Sequence, residues 1–235
     1  GYDGDADRIG AIDERGEILW GDRLMIVYAR DILTQRPGTT FISEVKASQC
    51  LYDDIAAKGG RPIMWKTGHS LMKAKLKAES AVLAGEMSGH MFFADRYFGF
   101  DDAIYASCRL VEILAKTKRS LSSLVADLPQ TTVTPEIRVD CPDTLKFQLV
   151  DQVRTQLAAY LAEGQPVGAS NLRMRELVTI DGVRAIFEDG WGLIRASNTQ
   201  PALVLRFEAP SPARLDVIRA TIETELAQAR RVLST

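Results

Sequence analysis

The sequence has few cysteines, almost no net charge and no long apolar run, and each of these shortages argues against a class of protein. Its three cysteines, Cys50, Cys108 and Cys141, are widely separated and form no Cys-x-x-Cys or Cys/His spacing, which favours reduced cytoplasmic thiols over a disulfide framework or a zinc site. The 29 basic and 31 acidic residues leave a net charge of −2, which gives no general attraction to nucleic acid or to an anionic membrane. No segment has the pattern of a signal peptide or a membrane span. We therefore expect a cytoplasmic protein that binds anions only at local sites.

The 235 residues, 46% of them apolar, are enough to bury a sizeable core in one large domain or two smaller ones. The chain contains no internal repeat and no low-complexity segment. It begins without methionine, inside what we interpret as a functional loop, so we expect it to be part of a longer polypeptide.

What the sequence does have is a dense acidic loop within its first ten residues. Asp3, Asp5 and Asp7 alternate with small residues, which concentrates carboxylate oxygens in one short turn. A hard divalent cation neutralises such mutual repulsion, so the pattern predicts a Mg²⁺ site. Arg8 follows directly, and a guanidinium beside a metal ion suits a phosphoryl group.

Two other interpretations of this loop stay open. An EF-hand calcium loop starting at Asp3 would have its twelfth position at Glu14, but its sixth position should be glycine and is Arg8. An EF-hand would also need a preceding helix, for which a loop starting at the third residue leaves no room. An acidic turn with solvated charges is the plainer alternative.

Periodicity divides the rest of the chain into two regions. Alternating apolar and polar residues at 9–19 predict a strand, a tight turn and a strand, and a helix follows with Asp22 as its N-cap. Within 40–116, short apolar runs alternate with amphipathic segments, which predicts βαβ units and a largely parallel sheet with ligand loops at the carboxyl ends of its strands. The polar residues that follow these strands are Lys46, His69 and Glu86.

The pattern changes after Leu128. A strand at 132–139 and a long helix precede three or four further strands and a last helix. Clustered strands flanked by helices predict a small α+β domain whose antiparallel sheet is covered on one face. We therefore expect an α/β domain with a mixed sheet, followed by an α+β domain.

Three segments of the chain carry a resemblance to a known family. The metal, sugar-binding and phosphate-binding loops of the α-D-phosphohexomutases resemble, in the same order, Asp3-Gly4-Asp5-Ala6-Asp7-Arg8, Gly85-Glu86-Met87-Ser88-Gly89-His90 and Arg195-Ala196-Ser197-Asn198-Thr199-Gln200-Pro201. We name them the aspartate loop, the sugar loop and the phosphate loop. The resemblance runs across all 235 residues. It is nearest to the bacterial phosphomannomutase/phosphoglucomutase branch, because Met87 stands where phosphoglucosamine mutases typically carry glutamine.

The resemblance implies the C-terminal half of such an enzyme. Residues 1–20 would end its second domain, 21–128 would form the α/β third domain, and 129–235 would form the α+β fourth domain. The enzyme would move a phosphoryl group reversibly between C1 and C6 of mannose or glucose phosphate, with hexose 1,6-bisphosphate as activator and intermediate. The family's Thr-Ala-Ser-His-Asn-Pro-like phosphoserine loop has no match here. The phosphoryl donor would therefore lie in N-terminal domains of the same polypeptide that this chain lacks, and the chain alone would be inactive.

Two alternatives to this activity stay open, a phosphoglucosamine mutase-type relative and a non-catalytic module that binds sugar phosphates. An upstream phosphoserine loop in the intact gene would favour the enzyme over the binding module. The choice between mannose and glucose phosphates is not fixed by the sequence.

The resemblance also implies a role for each site residue. From spacing alone, Lys46 would be a solvated charge and His69 a helix cap, whereas the resemblance places both in a cleft where they contact phosphate or assist proton transfer. Glu86 and Ser88 would hydrogen-bond the sugar hydroxyls, and His90 would polarise the sugar loop or bind substrate. The implied catalytic residues are Arg8, Lys46 and His69. The implied substrate-binding residues are Glu86, Ser88 and His90, together with Arg195, Ser197, Asn198 and Thr199, which would grip the phosphate that is not transferred. Asp3, Asp5 and Asp7 would bind Mg²⁺, which would also coordinate the phosphoserine.

Overall fold

The computed structural model describes residues 1–234 and contains two compact units, Gly1–Leu128 and the residues from Pro129 onward. In the first unit, the aspartate loop leads into an antiparallel pair formed by β1 (Ala11–Ile12) and β2 (Ile18–Leu19), as the alternation predicts. Helix α1 (Gly21–Gln35) follows directly. The hairpin therefore connects the acidic loop to the first helix with little intervening chain.

The prediction that Asp22 caps this helix is wrong. Trp20 holds the N-cap position, and its side chain makes no capping hydrogen bond. Asp22 instead lies in the first turn, where its carboxylate accepts hydrogen bonds from the backbone N–H groups of Arg23 and Ser48, both at 2.9 Å. A buried carboxylate needs partners, and Asp22 finds one of them in a distant loop rather than at the end of its own helix.

The first unit is built on a four-stranded mixed sheet, which confirms the α/β prediction. β3 (Thr40–Glu44), β4 (Arg61–Trp65) and β5 (Leu83–Gly85) run parallel, and β6 (Met91–Phe93) runs antiparallel beside β5. The strand order is β4-β3-β5-β6. Sequence periodicity does not predict β6, because three consecutive apolar residues give no alternation. The helices of this unit are α1, α2 (Gln49–Ala57), α3 (His69–Ala78), α4 (Ala103–Thr117) and α5 (Leu121–Leu124).

Helices cover both faces of this sheet. Phe41 packs in a cluster with residues of α1, α2 and α4, whereas Ile42, the next residue of β3, packs in a second cluster with residues of α3. Successive side chains of a strand point to opposite faces, so a sheet covered on both sides needs continuous apolar strands. The carboxyl ends of the parallel strands are left to the loops that carry Lys46, His69 and Glu86.

The second unit contains an antiparallel sheet, which confirms the α+β prediction. Its elements are β7 (Thr132–Val133), β8 (Ile137–Asp140), α6 (Asp143–Glu163), β9 (Met174–Val178), β10 (Val183–Phe187), β11 (Trp191–Ala196), β12 (Ala202–Ala209) and α7 (Pro212–Ser234). Strands β9 to β12 pair in sequence order, and β12 also pairs with β7 and β8. Apolar side chains of α6 and α7 pack against one face of this sheet.

The single strand predicted at 132–139 is wrong. Two short strands, β7 and β8, stand there, and the break between them contains Pro135. Proline has no backbone N–H to donate to a strand ladder, so it interrupts the pairing with β12. No helix among residues 1–234 combines the length and the apolar character needed to cross a membrane.

Candidate functional site

The aspartate loop is a closed turn that gathers three carboxylates. The backbone N–H of Gly10 donates to the carbonyl of Gly1 at 2.9 Å, which brings together the two segments that flank the loop. Inside it, Asp3, Asp5 and Asp7 each offer an oxygen, and these oxygens all lie within 4.8 Å of one another. The close spacing predicted from the alternation is therefore present in the structure.

Arg8 and partial burial give these carboxylates different proton affinities. Nε of Arg8 donates to Oδ2 of Asp3 at 2.5 Å. Burial raises the pKa of Asp3, but the hydrogen bonds and positive charge of Arg8 outweigh that effect and leave the pKa below its usual value. Burial raises the pKa of Asp7, and the charges of Asp5 and Asp3 raise it further against the opposing effect of His90.

The donor set fits a hard divalent cation. Oδ1 of Asp7 is buried and accepts no hydrogen bond from any residue within 1–234. A divalent cation would supply the missing partner of that oxygen and would offset the repulsion among Asp3, Asp5 and Asp7. Carboxylate oxygens are also the ligands that such cations prefer.

The sugar loop presses against the aspartate loop through its backbone. The N–H of Ile9 donates to the carbonyl of Gly89 at 3.1 Å. Gly89 has a φ of +99°, and a Cβ placed there would lie 2.4 Å from the carbonyl oxygen of Ile9. A Cβ on Gly21, at the start of α1, would lie 2.3 Å from the carbonyl oxygen of Glu86. Only glycine fits these approaches, so both glycines are needed to hold the two loops and α1 together.

Glu86 is the buried carboxylate of the sugar loop. Its Oε1 accepts a hydrogen bond from the backbone N–H of Gly68 at 2.7 Å, and Oγ of Ser88 lies 3.5 Å from Oε2. Burial and then the charge of Glu44 raise the pKa of Glu86 to about 6, against opposing effects of the Gly68 N–H, Lys46 and His69. Glu86 is 5% exposed, and the raised pKa brings the protonation of its carboxyl closer to neutral pH.

Asp101 connects the two histidines and was not singled out by the sequence. Its Oδ2 lies 3.3 Å from Nδ1 of His69 and 3.7 Å from Nδ1 of His90, while Oδ1 accepts from Nζ of Lys73 at 3.0 Å. Nε2 of His90 lies 3.9 Å from Oδ1 of Asp7, at the aspartate loop. Burial lowers the pKa of His90, against the opposing charges of Asp7 and Asp101. The only sequence signal for Asp101 is its place just before α4, where an acid is usually a cap.

Lys46 stands two residues beyond β3, where the sequence places it. Its Nζ lies 3.4 Å from Oε2 of Glu44, the last residue of that strand. The Glu44 side chain is fully buried, and nothing in the sequence pattern distinguishes it from an ordinary strand residue. The first unit contains the following predicted site residues: Asp3, Asp5, Asp7, Arg8, Lys46, His69, Glu86, Ser88 and His90.

Arg195 lies near the end of β11 in the second unit. Its Nε and Nη2 lie 3.1 and 3.3 Å from the two carboxylate oxygens of Asp181. The turn after Asp181 passes so close that a Cβ on Gly182 would lie 2.5 Å from Cβ of Arg195. This two-point contact fixes the plane of the Arg195 guanidinium. A guanidinium is the side-chain group best suited to bind a phosphate through paired hydrogen bonds.

Hydrogen bonds between side chains and backbone groups hold the rest of the phosphate loop in place. Oγ of Ser197 accepts from the backbone N–H groups of Thr199 (3.4 Å) and Gln200 (3.2 Å). From α6, Nζ of Lys146 donates to the carbonyls of Ser197 (2.6 Å) and Gln200 (3.0 Å). Asn198 and Thr199 are exposed at the tip of the loop. Lys146 was missed by the sequence reasoning, because a lysine on a helix gives no sign that its ammonium is buried.

Two family models match the chain in succession. A model described as "Phosphoglucomutase/phosphomannomutase, alpha/beta/alpha domain III" matches residues 20–132, and one described as "Phosphoglucomutase/phosphomannomutase, C-terminal domain" matches residues 136–225. The chain belongs to the phosphoglucomutase/phosphomannomutase family, which is a family of mutases.

Individual proteins agree with this assignment. The chain is 46% identical over 225 residues to a phosphomannomutase/phosphoglucomutase of Pseudomonas putida, a match that covers 96% of this chain and 46% of that protein. A solved phosphoglucomutase/phosphomannomutase family protein of Burkholderia thailandensis matches with a TM-score of 0.85 and 42% identity, over 98% of this chain and 46% of that one.

A more distant structure shares the fold. An N-acetylphosphoglucosamine mutase of Aspergillus fumigatus, solved with GlcNAc-6P and magnesium, matches with a TM-score of 0.66 and 17% identity, over 97% of this chain and 48% of that one. In all three comparisons the chain spans about half of the other protein's length.

Proposed function

We propose that the polypeptide containing this chain is a phosphohexomutase that transfers a phosphoryl group reversibly between C1 and C6 of mannose or glucose phosphate. The observation that carries the proposal is the direct backbone contact between the aspartate loop and the sugar loop. Arg8 and His90 form an isolated antiparallel β-bridge, and the N–H of the next residue, Ile9, donates to the Gly89 carbonyl at 3.1 Å. That contact sets a cation site beside groups that hydrogen-bond sugar hydroxyls. We assign residues 1–20 to the end of a second domain, 21–128 to a third and 129–235 to a fourth.

Asp3, Asp5 and Asp7 would hold Mg²⁺, which would offset the negative charge that develops on the transferred phosphoryl group. Arg8 keeps Nε on Asp3, at 2.5 Å, which leaves its other guanidinium N–H groups available to phosphoryl oxygens. Two observations support this assignment, the buried oxygen of Asp7 that accepts no hydrogen bond from any residue within 1–234 and the repulsion among the three carboxylates.

The neighbouring loops bind the sugar and assist proton transfer at its oxygens. Glu86 and Ser88 accept hydrogen bonds from vicinal hydroxyls of the hexose. His69 and Lys46 assist proton transfer at the oxygen that gains or loses the phosphoryl group. His90 faces the aspartate loop and contacts the substrate there. Asp101 orients His69 through a 3.3 Å contact to Nδ1, so that Nε2 is the nitrogen free to act.

The phosphate loop would grip the phosphate that is not being transferred, through Arg195, Ser197, Asn198 and Thr199. In this scheme hexose 1,6-bisphosphate is the intermediate, because both oxygens carry phosphate between the two transfers. The donor is a phosphoserine that we place outside this chain, in N-terminal domains of the same polypeptide. Met87 favours the mannose and glucose branch over phosphoglucosamine. Three free cysteines fit a reducing compartment, so we place the reaction in the cytoplasm.

The test compares this chain with the full-length protein encoded by its gene. The full-length protein should interconvert glucose 1-phosphate and glucose 6-phosphate in a coupled assay with Mg²⁺ and a trace of hexose bisphosphate. The isolated chain should bind hexose phosphate weakly by calorimetry and show no turnover above a no-enzyme control, since it lacks the seryl phosphate. Robust turnover by the chain of verified mass would overturn the placement of the donor. Binding without turnover by the full-length protein would reduce the function to that of a sugar-phosphate-binding module.

A further inference from the structure

Glu44 is a buried carboxylate that holds three loops at once. It is the last residue of β3 and its side chain is fully buried. Oε1 accepts from the backbone N–H of Met87 in the sugar loop at 3.0 Å, and Oε2 accepts from Oγ1 of Thr67 at 2.7 Å. Nζ of Lys46 lies 3.4 Å from Oε2. The segments after β3, β4 and β5 therefore meet at one carboxylate.

Such a group is unusual at the end of a strand that is otherwise core. Burying a carboxylate costs on the order of several kcal/mol unless its oxygens are paired and hydrogen-bonded. Without such partners, an apolar residue would be more stable at this position. Both oxygens of Glu44 are paired here, with one partner in the sugar loop and the other in the loop that leads into His69 at the start of α3. Glu86, in the sugar loop, makes a similar contact with the β4–α3 loop, because it accepts a hydrogen bond from the backbone N–H of Gly68 at 2.7 Å. Two carboxylates thus fasten the sugar loop to the β4–α3 loop.

Glu44 also acts on Glu86 through its charge. The groups with the largest effect on Glu86 are Glu44, Lys46, His69 and the backbone N–H of Gly68, and among them Glu44 disfavours the ionised form. Oγ of Ser88 also faces Glu86, 3.5 Å from Oε2. The pKa of Glu86 stands at about 6 through burial first and the charge of Glu44 second. A neutral residue at position 44 would remove the second effect and let Glu86 ionise at lower pH.

We propose that Glu44 is a positioning residue of the mutase site, which fixes the sugar loop and Lys46 relative to one another without itself touching the substrate. The inference rests on the proposed function for its catalytic consequence. Its structural content, the fastening of Met87 and the charge effect on Glu86, does not depend on any activity.

Three variants separate these contributions. Glu44→Gln keeps the shape and one acceptor oxygen but removes the charge. Glu44→Asp keeps the charge but shortens the side chain by one methylene, so it reaches the Met87 N–H poorly. Glu79→Gln is the control, because Glu79 is a carboxylate of the same unit whose ion-pair partners within the described residues are Lys75, at 2.6 Å, and Arg61, neither of which belongs to the sugar loop.

The first measurement uses the isolated chain and needs no turnover. In Glu44→Gln, the carboxyl of Glu86 followed by NMR should titrate at lower pH than in the wild type, while Glu44→Asp leaves that titration in place. Amide exchange at Met87 should speed up at least about ten-fold in Glu44→Asp, as expected for the loss of a charged hydrogen bond. Unchanged titration in Glu44→Gln together with unchanged exchange in Glu44→Asp would overturn the inference, whatever the protein's function.

The second measurement uses the full-length protein. Glu44→Gln should lower kcat/KM about ten-fold at neutral pH and shift the acidic limb of its pH profile to lower pH, and Glu79→Gln should change neither. A lower rate with an unshifted limb would show a structural role only and would overturn the inference. A full-length wild type with no mutase activity would overturn the proposed function instead, and the NMR and exchange results would still decide the role of Glu44.

Discussion

The two units fasten their ligand loops with opposite charges. In the first unit, carboxylates accept hydrogen bonds from loop N–H groups, as Glu44 does from Met87 at 3.0 Å and Glu86 from Gly68 at 2.7 Å. In the second, the buried ammonium of Lys146 donates to loop carbonyls, 2.6 Å from that of Ser197. The two sets of contacts therefore place buried negative charge beside the sugar loop and buried positive charge beside the phosphate loop.

The two units also differ in the repulsion between like charges at their candidate sites in the absence of a ligand. Burial, and after it the charges of neighbouring carboxylates, raise the pKa of Asp7 and of Glu86 in the first unit. In the second unit, Arg195 already faces an opposite charge in Asp181 at 3.1 Å. If the proposed ligands bind, a cation would relieve repulsion in the first unit, whereas a phosphate in the second would have to share Arg195 with Asp181. We expect loss of a metal carboxylate to be the more damaging change.

The largest effect should come from Asp5→Asn in the full-length protein. Removing one of three clustered carboxylates weakens the cation site that stabilises charge in the transferred group, so turnover should fall at least about a hundred-fold. Calorimetry on the isolated chain should show weaker Mg²⁺ binding with the fold unchanged. Glu17→Gln is the matched control, since it removes one exposed acid from the neighbouring hairpin. Unchanged turnover with Mg²⁺ as the sole metal would refute the assignment of the aspartate loop.

A smaller effect is expected from Arg195→Ala. A charged hydrogen bond contributes about 1.5–3 kcal/mol, so the affinity of the full-length protein for glucose 6-phosphate should fall roughly ten- to a hundred-fold by calorimetry. Binding of unphosphorylated glucose should not change. Arg214→Ala is the control, because Arg214 also pairs with an aspartate, Asp189 at 2.9 Å, elsewhere in the same unit. Equal losses in both variants would mean that Arg195 supports the fold and does not grip phosphate.

The sequence predicts those structural features whose residues are neighbours along the chain. The aspartate loop places its candidate ligands at alternate positions, so their closeness follows from chain geometry alone. Continuous apolar runs predict the parallel strands because both faces of that sheet are covered. The strand at 132–139 is predicted as one element only because its apolar pattern continues across Pro135.

The residues that fasten the loops are not predictable in this way. Glu44 lies 43 positions from its partner Met87, Asp101 lies 32 from His69, and Lys146 lies 51 from Ser197. A single acid at a strand end, or a single lysine on a helix, carries no periodic signal. Its role depends on which distant loop the fold brings beside it, and that is a property of packing.

The smallest expected effect concerns Glu225 on α7, the counterpart in the second unit to the paired carboxylates of the first. Glu225 is 1% exposed, and neither of its oxygens accepts a hydrogen bond from any residue within 1–234. A Cβ on Gly168 would lie 2.8 Å from Oε1, so the loop after α6 covers the carboxyl closely. Burial raises the pKa of Glu225, which means that the folded state holds this proton more tightly than the unfolded state.

The stability that this proton gives is complete below the ordinary pKa of 4.5 and is lost as pH rises through the folded-state value. Glutamine does not titrate, so Glu225→Gln should match the wild type near pH 4.5. At pH 8 its second unit should be more stable by on the order of 1 kcal/mol. Amide exchange of α6 and α7 at the two pH values measures this difference for the second unit alone. Glu223→Gln on the same helix, which breaks an exposed pair with Arg219 at 2.8 Å, should show no such growth with pH. An equal difference from the wild type at both pH values would mean that the Glu225 carboxyl is solvated and titrates normally, and the contrast between paired carboxylates in one unit and an unpaired one in the other would not hold.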